Sequence, residues 1–468
     1  MSGFFGVASK ENCVLDVFFG VDYHSHLGTR RGGMAIHGEK GFARAIHNIE
    51  NSPFRTKFEK DIEEFDGNLG IGCISDNEAQ PLLVKSHLGS FAITTVGRIN
   101  NLEELQSLCF ERGVTHFLEM STGEVNPTEL IASLINHKAT IVEGLQYVQS
   151  LVKGSMSILL MTQYGIYAAR DLLGRTPIVL GEKETGFCAT FESSAFLNLG
   201  YHHYRDLGAG EIVFITPERI EVLQKPKDKM KICSFLWVYY GYPVCEYEGK
   251  NVDRMRFECG CEMGEKDDVE ADFVSAIPDS GIGMALGYSE GKKIPYKRGI
   301  VKYTPTWPRS FTPPTQELRE LVAKMKLIPN PDLINGKRVV FCDDSIVRGT
   351  QLRDNVCDLF RCGAKEVHMR ISCPPLVYPC RFVNFTASKS ELELITRRVI
   401  QQFEGDHTKN LEAYTKTDSP EYKRMVEEIR RQLKITSLKF NPLETMVKAI
   451  GLPKECICTH CFDGSSYE

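Results

Sequence analysis

The stretch VVFCDDSIVRGT, residues 339–350, decides how the second half of this chain is read. Its first four residues, Val339 to Cys342, form an apolar run of strand length. The run delivers two adjacent acids, Asp343 and Asp344, and then Ser345, Ile346, Val347, Arg348, Gly349 and Thr350 lead into a helical pattern. The wider segment, 336–372, reads strand, acidic turn, helix, strand. That is a βαβ unit, which requires a parallel sheet and a right-handed crossover. Ligands of such sheets bind beyond the carboxyl ends of the strands, where this turn falls. Small hydroxyls and a glycine let backbone N–H groups face an anion, and the helix N-terminus adds partial positive charge. The paired carboxylates suit vicinal sugar hydroxyls or a Mg²⁺ ion. One loop thus offers acceptors for a ribose and donors for its phosphate. The bland alternative is an acidic surface turn whose aspartate caps the helix; the full string is far more specific than that.

Outward from this loop the pattern repeats. ADFVSAIPDSGIGMALGYSEG (271–291) is an apolar strand, a turn and a small-residue helix. Between the two units, residues 299–327 carry Lys302, Arg309, Arg319, Lys324 and Lys326. Such a segment could close over pyrophosphate, although alone it would read as a solvated charged loop. Upstream, SFAITTVGRI (90–99) reads as a strand and SMSILLMTQYGIYAARD (155–171) as a hairpin turning near Tyr164. PTELIASLINH (127–137) reads as a helix opened by Pro127. GEIVFITPERIEVLQ (210–224) reads as a closing hairpin, and the polar KPKDKMK (225–231) as a boundary. The expected domains are therefore 1–230 and 231–468. PEYKRMVEEIRRQLKI (420–435) reads as a charged amphipathic helix.

Bulk properties agree. A chain of 468 residues is too long for one ordinary domain. Net charge is −5 with no basic block, which argues against a nucleic-acid partner. No apolar run approaches the ~18–20 residues that span a bilayer, and the N-terminus lacks a signal-peptide pattern. No membrane partner is expected, and the cytoplasm is the default compartment. Sixteen cysteines are many for that compartment, where disulfides are rare. Most sit singly in apolar runs and suit small buried hydrophobes. The exception is ECICTHCFDG, where Cys456, Cys458 and Cys461 crowd together.

With these motifs in place, the chain resembles the glutamine phosphoribosylpyrophosphate (PRPP) amidotransferase family. KICSFLWVYY, AIPDSGIGMALGY, KRGIVKY, PRSFT and KRVVFCDDSIVRGTQ carry the likeness in the second half. ARDLLGRTPIVLG, ESSAF and LGAGEIVFI carry it in the first. The resemblance implies an α/β and α+β chain: an N-terminal-nucleophile (αββα) glutaminase-like domain followed by a type I phosphoribosyltransferase domain with a parallel sheet. It implies that Asp343 and Asp344 hold the ribose hydroxyls and approach Mg²⁺. Ser345, Val347, Arg348, Gly349 and Thr350 would hold the phosphate, and Lys302, Arg309, Lys324 and Lys326 the pyrophosphate. Departures occur near the transferase entrance, where Lys302 is followed by Tyr-Thr-Pro and PVCEYEGKNV (243–252) differs from the family.

Four cysteines, Cys233, Cys380, Cys458 and Cys461, fall where the iron–sulfur branch of that family has its ligands. The resemblance therefore implies a [4Fe–4S] cluster, with zinc as the alternative because Cys456 and His460 are spare ligands. At the other end, Ser2 stands where the family's mature chain begins with a nucleophilic cysteine. The family's carboxylate-binding Arg corresponds to Ser75, its oxyanion Asn to Val96 beside a retained Gly97, and its amine-binding acid to Pro127. Losing an Arg clamp and an oxyanion donor removes most of what glutamine hydrolysis needs. Ser2 thus reads as the place of a lost nucleophile, and Arg98 as part of a new anion site or, the favoured reading, a surface charge.

The leading expectation is a transferase that makes 5-phosphoribosylamine and pyrophosphate from PRPP and free or partner-supplied ammonia, in purine biosynthesis. The alternative is a non-catalytic PRPP or nucleotide sensor, or a subunit of a true amidotransferase. Family members are homo-oligomers under purine-nucleotide feedback, and both are expected here.

Overall fold

The protein is described from a computed structural model covering residues 2–76, 78–121, 123–303, 326–383 and 390–465. The first half is built of two antiparallel sheets. One has seven strands in the order His202–Asp206, Val179–Lys183, Gly186–Thr190, Ser2–Ser9, Leu69–Ser75, Arg31–Gly38 and Gly41–Asn48. The other has six: Ile220–Gln224, Ile212–Ile215, Gly165–Ala169, Gly154–Thr162, Gly89–Ile99 and Leu82–Ser86.

Strand alternation sets the layers. Successive side chains of a strand point to opposite faces. Phe4 and Ala8 join a core shared with Leu159 and Met161 of the second sheet, whereas Phe5 and Val7 join an outer core with the helix Val14–Asp22. Likewise Ile158 and Leu160 face the helices Pro127–Ile135 and Ile141–Leu151. Both sheets are therefore buried on both faces, giving helix, sheet, sheet, helix. This is the αββα arrangement expected of 1–230. The strand 90–99, the hairpin near Tyr164, the helix opened by Pro127 and the hairpin after Gly210 all form as read. Residues 225–231 carry neither strand nor helix.

The second half centres on four parallel strands in the order Phe273–Ala276, Arg338–Asp343, Glu366–Ile371 and Ser437–Phe440. The helix Thr350–Arg361 makes the crossover between the second and third. The helix Ile282–Lys292 follows the first. The charged amphipathic helix forms over Pro420–Leu433. A short parallel pair, Ile232–Cys233 with Ile457–Cys458, brings the C-terminal segment back to the start of this half. Among the described residues, no helix is long and apolar enough to cross a membrane.

Candidate functional site

Two turns meet at the carboxyl ends of neighbouring parallel strands. The first, Ile277 to Gly281, follows Phe273–Ala276; the second, Asp343 to Gly349, follows Arg338–Asp343. Asp344 is 7% exposed and accepts hydrogen bonds from both turns: Ser280 Oγ donates to Oδ2 and Ser345 Oγ to Oδ1. Its backbone carbonyl accepts from Ser372 Oγ at 2.9 Å. Asp343 is half-buried, and its Oδ1 accepts the Asp344 amide at 2.9 Å. Burial and the neighbouring Asp344 charge push the Asp343 carboxyl well above the usual range. Burial raises Asp344 too, opposed by the two serine hydroxyls and by the charge of Arg256.

Arg256, on the helix Val252–Lys266, is itself fixed: it donates to the carbonyls of Trp237 at 2.9 Å, Tyr239 at 3.2 Å and Gly241 at 2.9 Å. Lys302, at the end of the strand Ile300–Lys302, pairs with Asp279. Lys326 lies beside it at the foot of the basic segment, its carbonyl accepting the Tyr303 amide at 2.8 Å. Arg309, Arg319 and Lys324 lie outside the described residues. Asp279, Ser280 and Arg256 were not among the sequence-derived site residues. Their signal was present for two of them, since AIPDSG repeats the strand–turn–helix form of the acidic loop.

The loop from Ser345 to Thr350 is held from outside. Val347 carbonyl accepts the Ile395 amide at 2.8 Å, and Arg348 pairs with Glu393. Gly349 has φ +76° and caps the helix Thr350–Arg361. A Cβ there would lie 2.7 Å from Ile395 Cδ1, so only glycine fits both the backbone and the space. Ser345 is spent on Asp344, rather than left facing an empty cradle.

Around Ser2 the side chains close on one another. Ser2 Oγ donates to Ser75 Oγ at 3.1 Å across register-paired strands, and both residues are buried. Val96 is 1% exposed. Gly97 has a packing reason to be glycine: a Cβ would stand 2.0 Å from the Ser155 carbonyl oxygen on the paired strand. Its retention therefore says nothing about an oxyanion. Pro127 opens its helix, capped by Asn126, whose Oδ1 accepts the Thr128 amide at 2.9 Å. A buried acid, Glu78, follows Ser75 closely in sequence and accepts from Gln80 Nε2 at 3.0 Å; burial raises its carboxyl.

The four cysteines come together. Cys233 and Cys458 are register partners on the short parallel pair. The Cys461 carbonyl accepts the amides of Val377 and Tyr378, each at 3.0 Å, next to Cys380. The Cys461 thiol donates to the Cys380 sulfur, which lowers Cys380 to about 6. Burial, with the charges of Cys380 and Cys458, pushes Cys233 the opposite way, and the Cys380 bond, burial and the other three sulfurs push Cys461 up. Among the described residues, no three His, Cys, Asp or Glu side chains close into a metal-binding cage. Four neighbouring thiols are nonetheless the donor type that a thiolate-ligated group takes. His460 is turned away from them: its Nδ1 bonds the Ser465 carbonyl at 2.9 Å. Arg98 corrects the sequence reading. It is no surface charge, since its Nη1 donates to the Cys380 carbonyl at 2.6 Å.

Comparison with known proteins places this geometry. Residues 68–198 match the glutamine amidotransferase domain family. The amidophosphoribosyltransferase of Methanothermobacter thermautotrophicus is 32% identical over 412 residues, covering 86% of this chain and 81% of that protein. That of Methanocaldococcus jannaschii is 30% identical over 99% of this chain and 97% of its own length. The solved glutamine PRPP amidotransferase of Bacillus subtilis, complexed with ADP and GMP, superposes with a TM-score of 0.84 at 28% identity, covering 99% of this chain and 96% of that one. The two-half fold, the paired-acid loop and near full-length similarity lead to one conclusion: the chain belongs to the amidophosphoribosyltransferase family.

Proposed function

We propose that this protein transfers ammonia to PRPP, giving 5-phosphoribosylamine and pyrophosphate for purine synthesis, and that its first half no longer hydrolyses glutamine. The observation that carries the transferase reading is Asp344, buried at the ends of two parallel strands and held by hydroxyls from both turns. A carboxylate so fixed, beside Asp343, is pre-positioned to accept vicinal ribose hydroxyls. The amides of Ser345 to Thr350, at the helix N-terminus, take the 5′-phosphate. Lys302 and Lys326, with Arg309 and Lys324, take the pyrophosphate. A C1–N bond forms as the C1–O bond to pyrophosphate breaks, and the nitrogen then gives up a proton. The oxocarbenium-like state between is stabilised by position and charge. Mg²⁺, held through the pyrophosphate and the Asp343–Asp344 pair, would supply neutralisation of the leaving group.

The loss of glutamine hydrolysis is supported by the closed Ser2–Ser75 pair, by Val96 at the donor position and by Pro127 at the acid's place. Fold survives such losses because the two-sheet core does not depend on them. The four cysteines are proposed ligands of a [4Fe–4S] cluster, with no redox role in the reaction. The domain division at residues 230 and 231 follows the element-free linker. ADP and GMP bound by the solved relative make purine nucleotides the candidate effectors, since a loop for ribose 5-phosphate also suits a nucleoside monophosphate. A homo-oligomer in the cytoplasm is the proposed setting.

The test is pyrophosphate release from PRPP by anaerobically purified protein with Mg²⁺, comparing ammonium with glutamine. Release with ammonium alone supports both parts of the reading. Release with glutamine overturns the loss of the glutaminase, and release with neither overturns the transferase.

A further inference from the structure

Three consecutive carbonyls of the cysteine-bearing loop are each taken by a side chain from the first half. Arg98 Nη1 donates to Cys380 O, Asn100 Nδ2 to Arg381 O and Ser155 Oγ to Phe382 O, each at 2.6 Å. The guanidinium of Arg175 lies 3.6 Å from the Phe382 ring centroid, and its own carbonyl accepts the Cys233 amide at 3.2 Å. Arg98 and Asn100 flank the end of the strand Gly89–Ile99, which also carries Val96 and Gly97. Ser155 lies on the strand paired with it, opposite Arg98 in register.

This grip is local to the cysteines. A packing contact between halves could fall anywhere along the interface, yet these bonds take successive residues beginning at Cys380. On the far side, the Val383 amide donates to Cys380 Sγ at 3.4 Å, so fixing the loop also fixes the sulfur. A backbone held at three successive carbonyls has little freedom to carry its thiolate away from the other three.

We propose that Arg98 is a positioning residue for the four-cysteine site, fixing the Cys380 loop from the opposite half of the molecule. A strand of the first half thereby holds the loop that carries Cys380. The proposal rests on the cluster reading above for its consequence, while the grip itself is independent of it.

The test uses full-length protein, reconstituted anaerobically with iron and sulfide, as wild type, Arg98→Ala, Arg98→Lys and Asn100→Ala. Two quantities are read: iron released to a chelator over time, and hydrogen exchange of the amides at 380–383. Arg98→Ala should lose iron about 10- to 100-fold faster, the usual effect of removing an outer-shell partner. Its 380–383 amides should exchange faster, with Asn100→Ala intermediate and Arg98→Lys partly restoring both. Wild-type iron loss in Arg98→Ala overturns the proposal. If wild-type protein takes up no iron, the cluster reading falls alone. Exchange in the iron-free proteins then decides: faster at 380–383 in Arg98→Ala upholds positioning, unchanged exchange overturns it.

Discussion

The Ser280 hydroxyl donates to Oδ2 of Asp344 and so ties the turn after one parallel strand to the turn after its neighbour. The bond joins the two loops that would face the ribose. Asp344→Asn should cut ammonium-dependent pyrophosphate release about 10²-fold, as expected for disturbing a pre-positioned group. Ser280→Ala should lose about tenfold, matching one hydrogen bond to a charged acceptor at ~1.5 kcal/mol. Steady-state rates for both variants check this, and a wild-type rate in Asp344→Asn would remove that residue from the site.

Gly349 faces both a left-handed backbone and the Ile395 side chain. Gly349→Ala should destabilise the second half by about 1–2 kcal/mol, from the backbone alone, and should weaken PRPP binding by moving the loop. Thermal unfolding with and without PRPP measures both effects. Equal stability to wild type would mean that the loop has another conformation open to it.

Asp267 is fully buried and receives Arg370, Lys439 Nζ at 2.8 Å and Tyr288 Oη at 2.7 Å. Burial by itself would raise its carboxyl, but Arg370, Lys439 and Tyr288 hold it well below the usual range. A depressed acid contributes stability above its unfolded pKa and loses it as pH falls through the lower folded value. Asp267→Asn leaves Arg370 buried without its anion, and should cost about 3–5 kcal/mol. Denaturant unfolding should show that loss unchanged from neutral pH down to about 5, and shrinking only in strong acid.

The pair His26–Glu192 has the opposite pH signature. Nε2 and Oε2 are 2.9 Å apart, with Glu192 fully buried and also receiving Tyr247 Oη at 2.8 Å. Burial pushes His26 down, yet the Glu192 charge and bond outweigh it and leave its pKa raised. Such a histidine stabilises fully below its unfolded pKa of about 6.5 and loses that contribution as pH rises through the folded value. His26→Gln should therefore destabilise more at pH 6 than at pH 9. A penalty independent of pH would show that the pair is held neutral.

Ser2→Cys should leave ammonium-dependent activity as it is and give no glutamine-dependent pyrophosphate release. The nucleophile would return, but Ser75, Val96 and Pro127 would still supply neither an Arg clamp, nor a side-chain oxyanion donor, nor an acid. Glutamine-dependent release from this variant would show that substrate is held by groups other than those three positions.

Much of the architecture was legible because strands and helices write their periods locally. The βαβ unit follows from an apolar run, an acidic turn and an amphipathic helix, all within residues 336–372. The two-sheet first half was readable only as separate hairpins, since alternation tells which residues share a face but not which sheet that face meets. The transferase loop was found because its residues are contiguous. Arg256 and Ser280 were missed as partners of Asp344 because neither is contiguous with it.

The sequence by itself determined the elements, the paired acids beyond a parallel strand and the Cys458–Cys461 pair, because each depends on residue type and short-range spacing; Cys233 and Cys380 joined that pair only through the family resemblance. The tertiary structure alone decided that Arg98 fastens the Cys380 loop. Those residues are 282 positions apart, and no local pattern encodes a hydrogen bond from one half's strand to the other half's backbone. Only the docking of the halves gives that guanidinium a carbonyl to hold.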